Sequence, residues 1–151
     1  MLPGIPWGCL GYFHRQKGDG IVRQELQTTK PQQFIDITNR VAAEVQQSKV
    51  EDGIAVIFVP HTTAAVTINE HADPDVGRDI IFALDKTIPE QGAYLHREGN
   101  AHAHIKASLM GSSCTVIIRS GRILLGTWQG IFFCEFDGPR KREFYVKILG
   151  G

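Results

Sequence analysis

The sequence predicts a single α+β domain, a largely antiparallel sheet with about three helices packed on one face. Three observations carry this reading. Short strand-like runs come before and after a helical middle, without the regular alternation that builds a parallel sheet. A chain of 151 residues buries a sizeable core without disulfides or a structural metal, yet is far short of the ~250 residues of a (β/α)8 barrel. No internal repeat, low-complexity stretch or second boundary interrupts residues 21–151. Residues 1–20 hold aromatics and glycines with no periodicity and read as a poorly specified extension, a linker scar or an overlong gene start outside the domain.

From Ile21 to Leu26 alternate residues differ in polarity, which predicts a strand ending at the Thr28-Thr29-Lys30-Pro31 breaker. Phe34 to Ile37 is short and β-prone. Thr38 then stands as an N-cap for a helix over 39–48, with Val41, Ala42 and Val45 on one face. Asp52-Gly53 turns into the apolar run Ile54–Val59, which reads as a central strand covered on both faces. Ala64–Glu70 follows as a half-buried strand. Asp73-Pro74 opens a second helix carrying Val76, Ile80, Ile81 and Leu84 and stopping before Pro89; Asp73 reads as its cap and Asp79 as part of its solvated face. A Gly-punctuated loop over 90–99 leads to Asn100, which caps a third helix through Met110 that Gly111 ends. The remainder is strand and turn: 114–119, Ser120-Gly121, 123–125, 129–136, Asp137-Gly138-Pro139 and 143–149. Arg140-Lys141-Arg142 reads as a solvated hairpin shoulder.

Sixteen Lys plus Arg balance sixteen Asp plus Glu, which removes the electrostatic argument for nucleic acid or an anionic membrane as partner. No apolar run approaches a membrane span or the core of a signal peptide. The three cysteines, Cys9, Cys114 and Cys134, suggest neither a disulfide framework nor a thiolate zinc site, so a reducing cytoplasm fits.

Five of six histidines fall between residues 61 and 104, among Asn69, Glu70, Asp73, Asp75, Asp79, Glu98 and Asn100. Neutral imidazoles beside carboxylates are what a divalent metal such as zinc binds, and equally what acid–base chemistry near neutral pH needs. Spacing leaves both open. His102 and His104 lie about 200° apart around a helix, so one of them is functional, and His104, a turn beyond Asn100, is favoured. Gly99-Asn100 at a helix start is a candidate phosphate seat, since free amides and the positive helix end point at whatever lies there. Trp128-Gln129 reads either as core packing or as a stacking wall for a ring.

Three stretches resemble one family: His61-Thr62-Thr63-Ala64-Ala65-Val66-Thr67-Ile68-Asn69-Glu70; Asp73-Pro74 with Asp79; and His96-x-Glu98-Gly99-Asn100-x(3)-His104-Ile105-Lys106. Ser113-x(2)-Val116-x-Ile118-x(2)-Gly121-x(4)-Gly126-Thr127-Trp128-Gln129-x-Ile131 completes the pattern. Together they resemble the YjbQ-like family, whose members are often labelled secondary thiamine-phosphate synthases. His71 and His102 lie outside the pattern. The resemblance implies a homotrimer with a histidine-bearing cleft near a subunit boundary. It carries over His61, His96 and His104 as catalytic or metal-ligating residues, with Glu70 beside them. Asn69, Glu98, Gly99, Asn100, Trp128 and Gln129 are then the substrate-binding candidates. The function it implies is an enzyme on a small phosphorylated metabolite, with thiamine-phosphate synthesis as a secondary transferase activity. A non-catalytic trimeric metal- or anion-binding protein is the alternative. If one ion is shared, the three imidazoles converge, at roughly 2.0–2.1 Å per nitrogen for zinc, while His102 points away and His71 is peripheral.

Overall fold

Along Gln129–Glu135 every residue after the first is buried or half-buried, with no gap on either side of the strand. Ile131 and Phe133 join one apolar cluster, and Phe132, Cys134 and the following Phe136 join another. Strand side chains alternate between faces, so this strand is packed on both. The layers follow from that division.

The computed structural model describes residues 20–151; residues 1–19, which fall in the expected extension, lie outside the described residues. The order is β1 (Ile21–Gln27), β2 (Gln33–Asp36), α1 (Thr38–Ser48), β3 (Gly53–Phe58), β4 (Ala64–Glu70), α2 (Pro74–Thr87), α3 (Ala101–Met110), β5 (Ser113–Arg119), β6 (Arg122–Leu124), β7 (Gln129–Glu135) and β8 (Lys141–Gly150). The α+β class, the three helices and the antiparallel pairing are as expected. The strands divide, however, between two sheets, β1-β8-β3-β5-β6 and β2-β7-β4.

The main core lies between the sheets. Ala55, Ile57, Val116, Phe144 and Val146 of the larger sheet meet Val66, Ile131 and Phe133 of the smaller, and α1 closes the core with Val41 and Val45. A second core, Ala65, Ala103, Ala107, Cys134 and Phe136, lies beyond the small sheet under α3, with Leu84 of α2 against it. The helices are therefore not all on one face. Those of α2 and α3 flank the small sheet, while α1 lies against β6, β7 and β8.

Two further expectations are corrected. Among the described residues β3 is covered on one face only: Ala55 and Ile57 are buried, but on the outer face of the large sheet Phe58 is 44% exposed, and exposed Ile117 and Leu149 flank Ile54 at the other end of the strand. Continuous apolar runs suggest double coverage, and no helix of the described residues supplies it here. Thr38 is not the cap of α1 but its first residue; its hydroxyl accepts the N–H of Ile131 at 2.8 Å, tying α1 to β7, while Asp36 Oδ1 accepts the Thr38 N–H at 2.8 Å. At α2 the cap is as expected, with Asp73 accepting the N–H of Asp75.

β4 is an edge strand of the small sheet. The Val66 N–H on its open side is taken by the carbonyl of Gly111, and the Glu70 N–H by Oδ1 of Asn69.

Candidate functional site

β4 decides where the expected site residues fall. At its first residue Ala64 pairs with Glu135, and at its last Glu70 pairs with Gln129. Those ends lie about 20 Å apart at ~3.3 Å per residue.

At the Ala64 end β7 continues into Phe136 and Asp137. The Asp137 carboxylate accepts Nδ2 of Asn100 at 2.9 Å, which seats the start of α3 here. Asn100 is the N-cap residue but makes no side-chain capping bond, so its side chain serves Asp137 instead of the free helix amides. Its Oδ1 is buried without a hydrogen-bond partner. One turn on, His104 meets His96 from the preceding loop, their rings edge to face with centroids 5.1 Å apart. Glu98 Oε2 lies 3.7 Å from His96 Nε2. Gly99, at φ +80°, takes the left-handed conformation that lets the loop enter the helix. The structure therefore brings together His96, Glu98, Gly99, Asn100 and His104.

His61 does not complete a three-imidazole cluster with them. Its Nε2 accepts the N–H of Glu143 at 3.0 Å, standing in for a strand neighbour at the start of β8. That bond places the neutral ring's proton on Nδ1. Among the described residues no group of three His, Cys, Asp or Glu is arranged to hold a metal ion. Burial, and after it the Arg142 guanidinium, hold the His61 pKa below 6.5 against the pull of Glu143 and Glu135. The folded state thus binds this proton more weakly than the unfolded chain. The associated stability is present above the unfolded pKa and is lost as pH falls through the depressed folded value. Urea midpoints measured from neutrality down to about pH 5 will show this loss in the wild type and a flatter profile in His61→Gln.

Beneath the histidines runs a network that the sequence reading missed. Glu135 is fully buried and paired with Arg142 through two bonds, NH2 to Oε1 at 2.6 Å and Nε to Oε2 at 2.8 Å. The Thr28 hydroxyl and the Asp137 N–H donate to the same carboxylate, and Arg142 also donates to the Thr63 hydroxyl. Asp137 in turn bonds Asn100 and, at 3.0 Å, Arg140. Arg142 is thus buried, not a solvated shoulder. Glu135 was detectable as a charge between Cys134 and Phe136 in an otherwise apolar strand, which demands a buried partner.

Lys106 is likewise fully buried, its Nζ bonding Asp85 and Gln32 and joining α3 to α2 and the segment before β2. His102 has a buried Nδ1 without a hydrogen-bond partner, and it is among the groups near enough to Asp85 of α2 to lower that carboxyl's pKa. That places it with α2, as its helical spacing from His104 predicts.

The other expected residues stand at the far end of β4. Asn69 is occupied with the Glu70 N–H. Gln129 Oε1 accepts the N–H of Gly126 and closes the turn before β7. Trp128 is 63% exposed, so it is not core packing. No element of a single chain carries Asn69, Glu70, Trp128 or Gln129 to the His96–His104 end.

Residues 23–151 match the family model described as UPF0047 protein YjbQ-like. A UPF0047 protein of Methanocaldococcus jannaschii is 57% identical over 130 residues, covering 86% of this chain and 94% of that protein. The UPF0047 protein YugU of Bacillus subtilis is 50% identical over 127 residues, covering 83% and 96%. Among solved structures, an uncharacterized conserved protein of this family from Clostridium acetobutylicum superposes with a TM-score of 0.84 at 61% identity, covering 85% of this chain and 99% of that one. A YbjQ-like protein of unknown function from Sulfolobus solfataricus gives 0.84 at 35% identity, covering 87% and 96%. By sequence over nearly the whole described region and by fold, the chain belongs to the YjbQ-like, UPF0047 family.

Proposed function

We propose that the protein is an enzyme acting on a small phosphorylated molecule at the start of α3. The observation that carries this reading is the meeting of His96 and His104 at a helix N-terminus that has no side-chain cap. Free amides there suit a phosphate, and two imidazoles beside it suit proton transfer near neutral pH. The buried, unpartnered Oδ1 of Asn100 suits a hydroxyl of the same ligand.

Asn69, Glu70, Trp128 and Gln129 join this site only from a neighbouring copy in a homotrimer. Exposed Phe58, Ile117 and Leu149, on the face of the large sheet that no helix of the described residues covers, support self-association. The balanced charge gives no electrostatic reason for a nucleic-acid or membrane partner, and three widely separated cysteines without paired spacing fit a reducing cytoplasm. No helix of the described residues is long and apolar enough to cross a membrane.

Joining a pyrimidine pyrophosphate to a thiazole phosphate ordinarily calls for carboxylates that hold Mg²⁺ at the leaving group. This end of the domain is richer in imidazole, so thiamine-phosphate synthesis is proposed as a secondary activity. The donors of one chain, two imidazoles and Glu98, fall short of a closed zinc site, and no step is routed through a metal. Given both precursors, the wild type forms thiamine phosphate slowly, and His104→Ala abolishes this while the unfolding midpoint stays in place. Unchanged turnover in His104→Ala removes the assignment.

The second reading is a non-catalytic trimeric metal- or anion-binding protein, favoured by the partial donor set at His96, Glu98 and His104. A structural ion raises the midpoint of thermal unfolding by mass action, so EDTA lowers it under that reading and leaves it in place under the first.

A further inference from the structure

At the Glu70 end of the small sheet a different histidine is held in working geometry. His71 Nδ1 lies 3.1 Å from Asp36 Oδ2, and the other carboxylate oxygen accepts the Thr38 N–H at 2.8 Å. Burial alone would push the Asp36 pKa up, but the bonds from Thr38 and His71 hold it below the usual carboxylate value, so it is an ionised acceptor at neutral pH. An ionised acceptor fixes the proton of the neutral imidazole on Nδ1 and leaves the Nε2 lone pair free. The ring's position is fixed from below as well: a side chain on Gly130 would come within 2.7 Å of His71 Cβ and 3.0 Å of the Thr38 hydroxyl. The His71 N–H donates to the carbonyl of Trp128, whose residue is 63% exposed. The result is an oriented, half-exposed imidazole at the ends of two strands, with a carboxylate behind it, a pairing used for nucleophilic and base chemistry.

We propose that Asp36 and His71 form a further reactive pair, at the far end of β4 from the His96 and His104 of the same chain, which transfers the acyl group of small aryl esters to water. The Nε2 lone pair attacks the ester carbonyl, the bond to the aryloxide oxygen breaks and the aryloxide leaves. Water then attacks the acyl-imidazolium, releasing the carboxylic acid and restoring the neutral ring, and the proton that water gives up passes to solvent, where the departed aryloxide can take it. Asp36 is a positioning residue that holds the tautomer.

The test uses p-nitrophenyl acetate, with release of nitrophenolate as the readout, and limiting diethyl pyrocarbonate with peptide mapping. Wild-type protein hydrolyses the ester. His71→Gln and His71→Asn both lose most of this rate with unchanged far-ultraviolet circular dichroism. Asp36→Asn lowers kcat and leaves KM nearly in place, as expected when only the held tautomer of the ring is lost. Diethyl pyrocarbonate labels His71 ahead of His61, whose Nε2 is already engaged. Wild-type rates in both His71 variants, or labelling of His96 or His104 ahead of His71, overturn the proposal.

Discussion

Glu135→Ala will lower the stability of the domain by about 3–5 kcal/mol, as the loss of one partner from a buried ion pair does. The Arg142 guanidinium, 5% exposed, would remain in the interior with no counter-charge, the Asp137 N–H would lose its acceptor, and the Thr28 hydroxyl would keep only the Arg140 carbonyl. Urea unfolding checks it: the midpoint falls with the slope unchanged. The companion experiment is the double replacement Glu135→Leu with Arg142→Met. Removing both charges together leaves no unpaired charge in the interior, so most of the loss is recovered. If the single and double variants lose the same stability, the network does not act through charge pairing. The effect reaches the candidate site as well, because Asp137, held by Glu135 at its amide, is the residue that holds Asn100.

Phe133→Ala will cost about 3–5 kcal/mol by a different route, the loss of apolar transfer energy together with the cavity left behind. Phe133 is fully buried at the centre of the small sheet, opposite Ile35 on β2 and Val66 on β4, and faces the large sheet. Neighbours from two sheets cannot both collapse into the space. Phe132→Ala, on the other face of the same strand and only half-buried, is expected to lose less by the same urea measurement. Equal losses from the two would contradict the assignment of the main core to the space between the sheets.

Helices with strong local signals were legible in the sequence. Asp73-Pro74 marks the start of α2 and Gly111 the end of α3, and both act through bonds or backbone geometry within a few residues. The division into two sheets was not legible, since strand alternation reports that a face is buried but not against what. Thr38 shows the same limit: a hydroxyl at a helix start reads as a cap, and only the tertiary structure reveals Ile131 as its partner.

For the site, the loop-to-helix step containing His96, Glu98, Asn100 and His104 was readable because its residues are close in sequence. His61 and the Asn69–Glu70 pair sit on one continuous stretch of sequence, and it is the extended form of β4 that carries that pair away from His61. The buried Glu135–Arg142 pair was hidden behind the habit of placing charged residues at the surface, and Asp36–His71 because its members are far apart in the chain.

The open side of β4 has one more implication. An unpaired strand edge is a template on which another molecule can add its own strand, and repetition of that step builds fibres. Here Gly111 and the side chain of Asn69 take the outward amides of Val66 and Glu70, which spoils the edge at both places. Growth by endless strand addition through β4 is blocked, while the exposed apolar face of the large sheet stays open to contact. At this edge the Asn69 side chain therefore does the work of a guard against polymerisation, by taking an amide that an added strand would need.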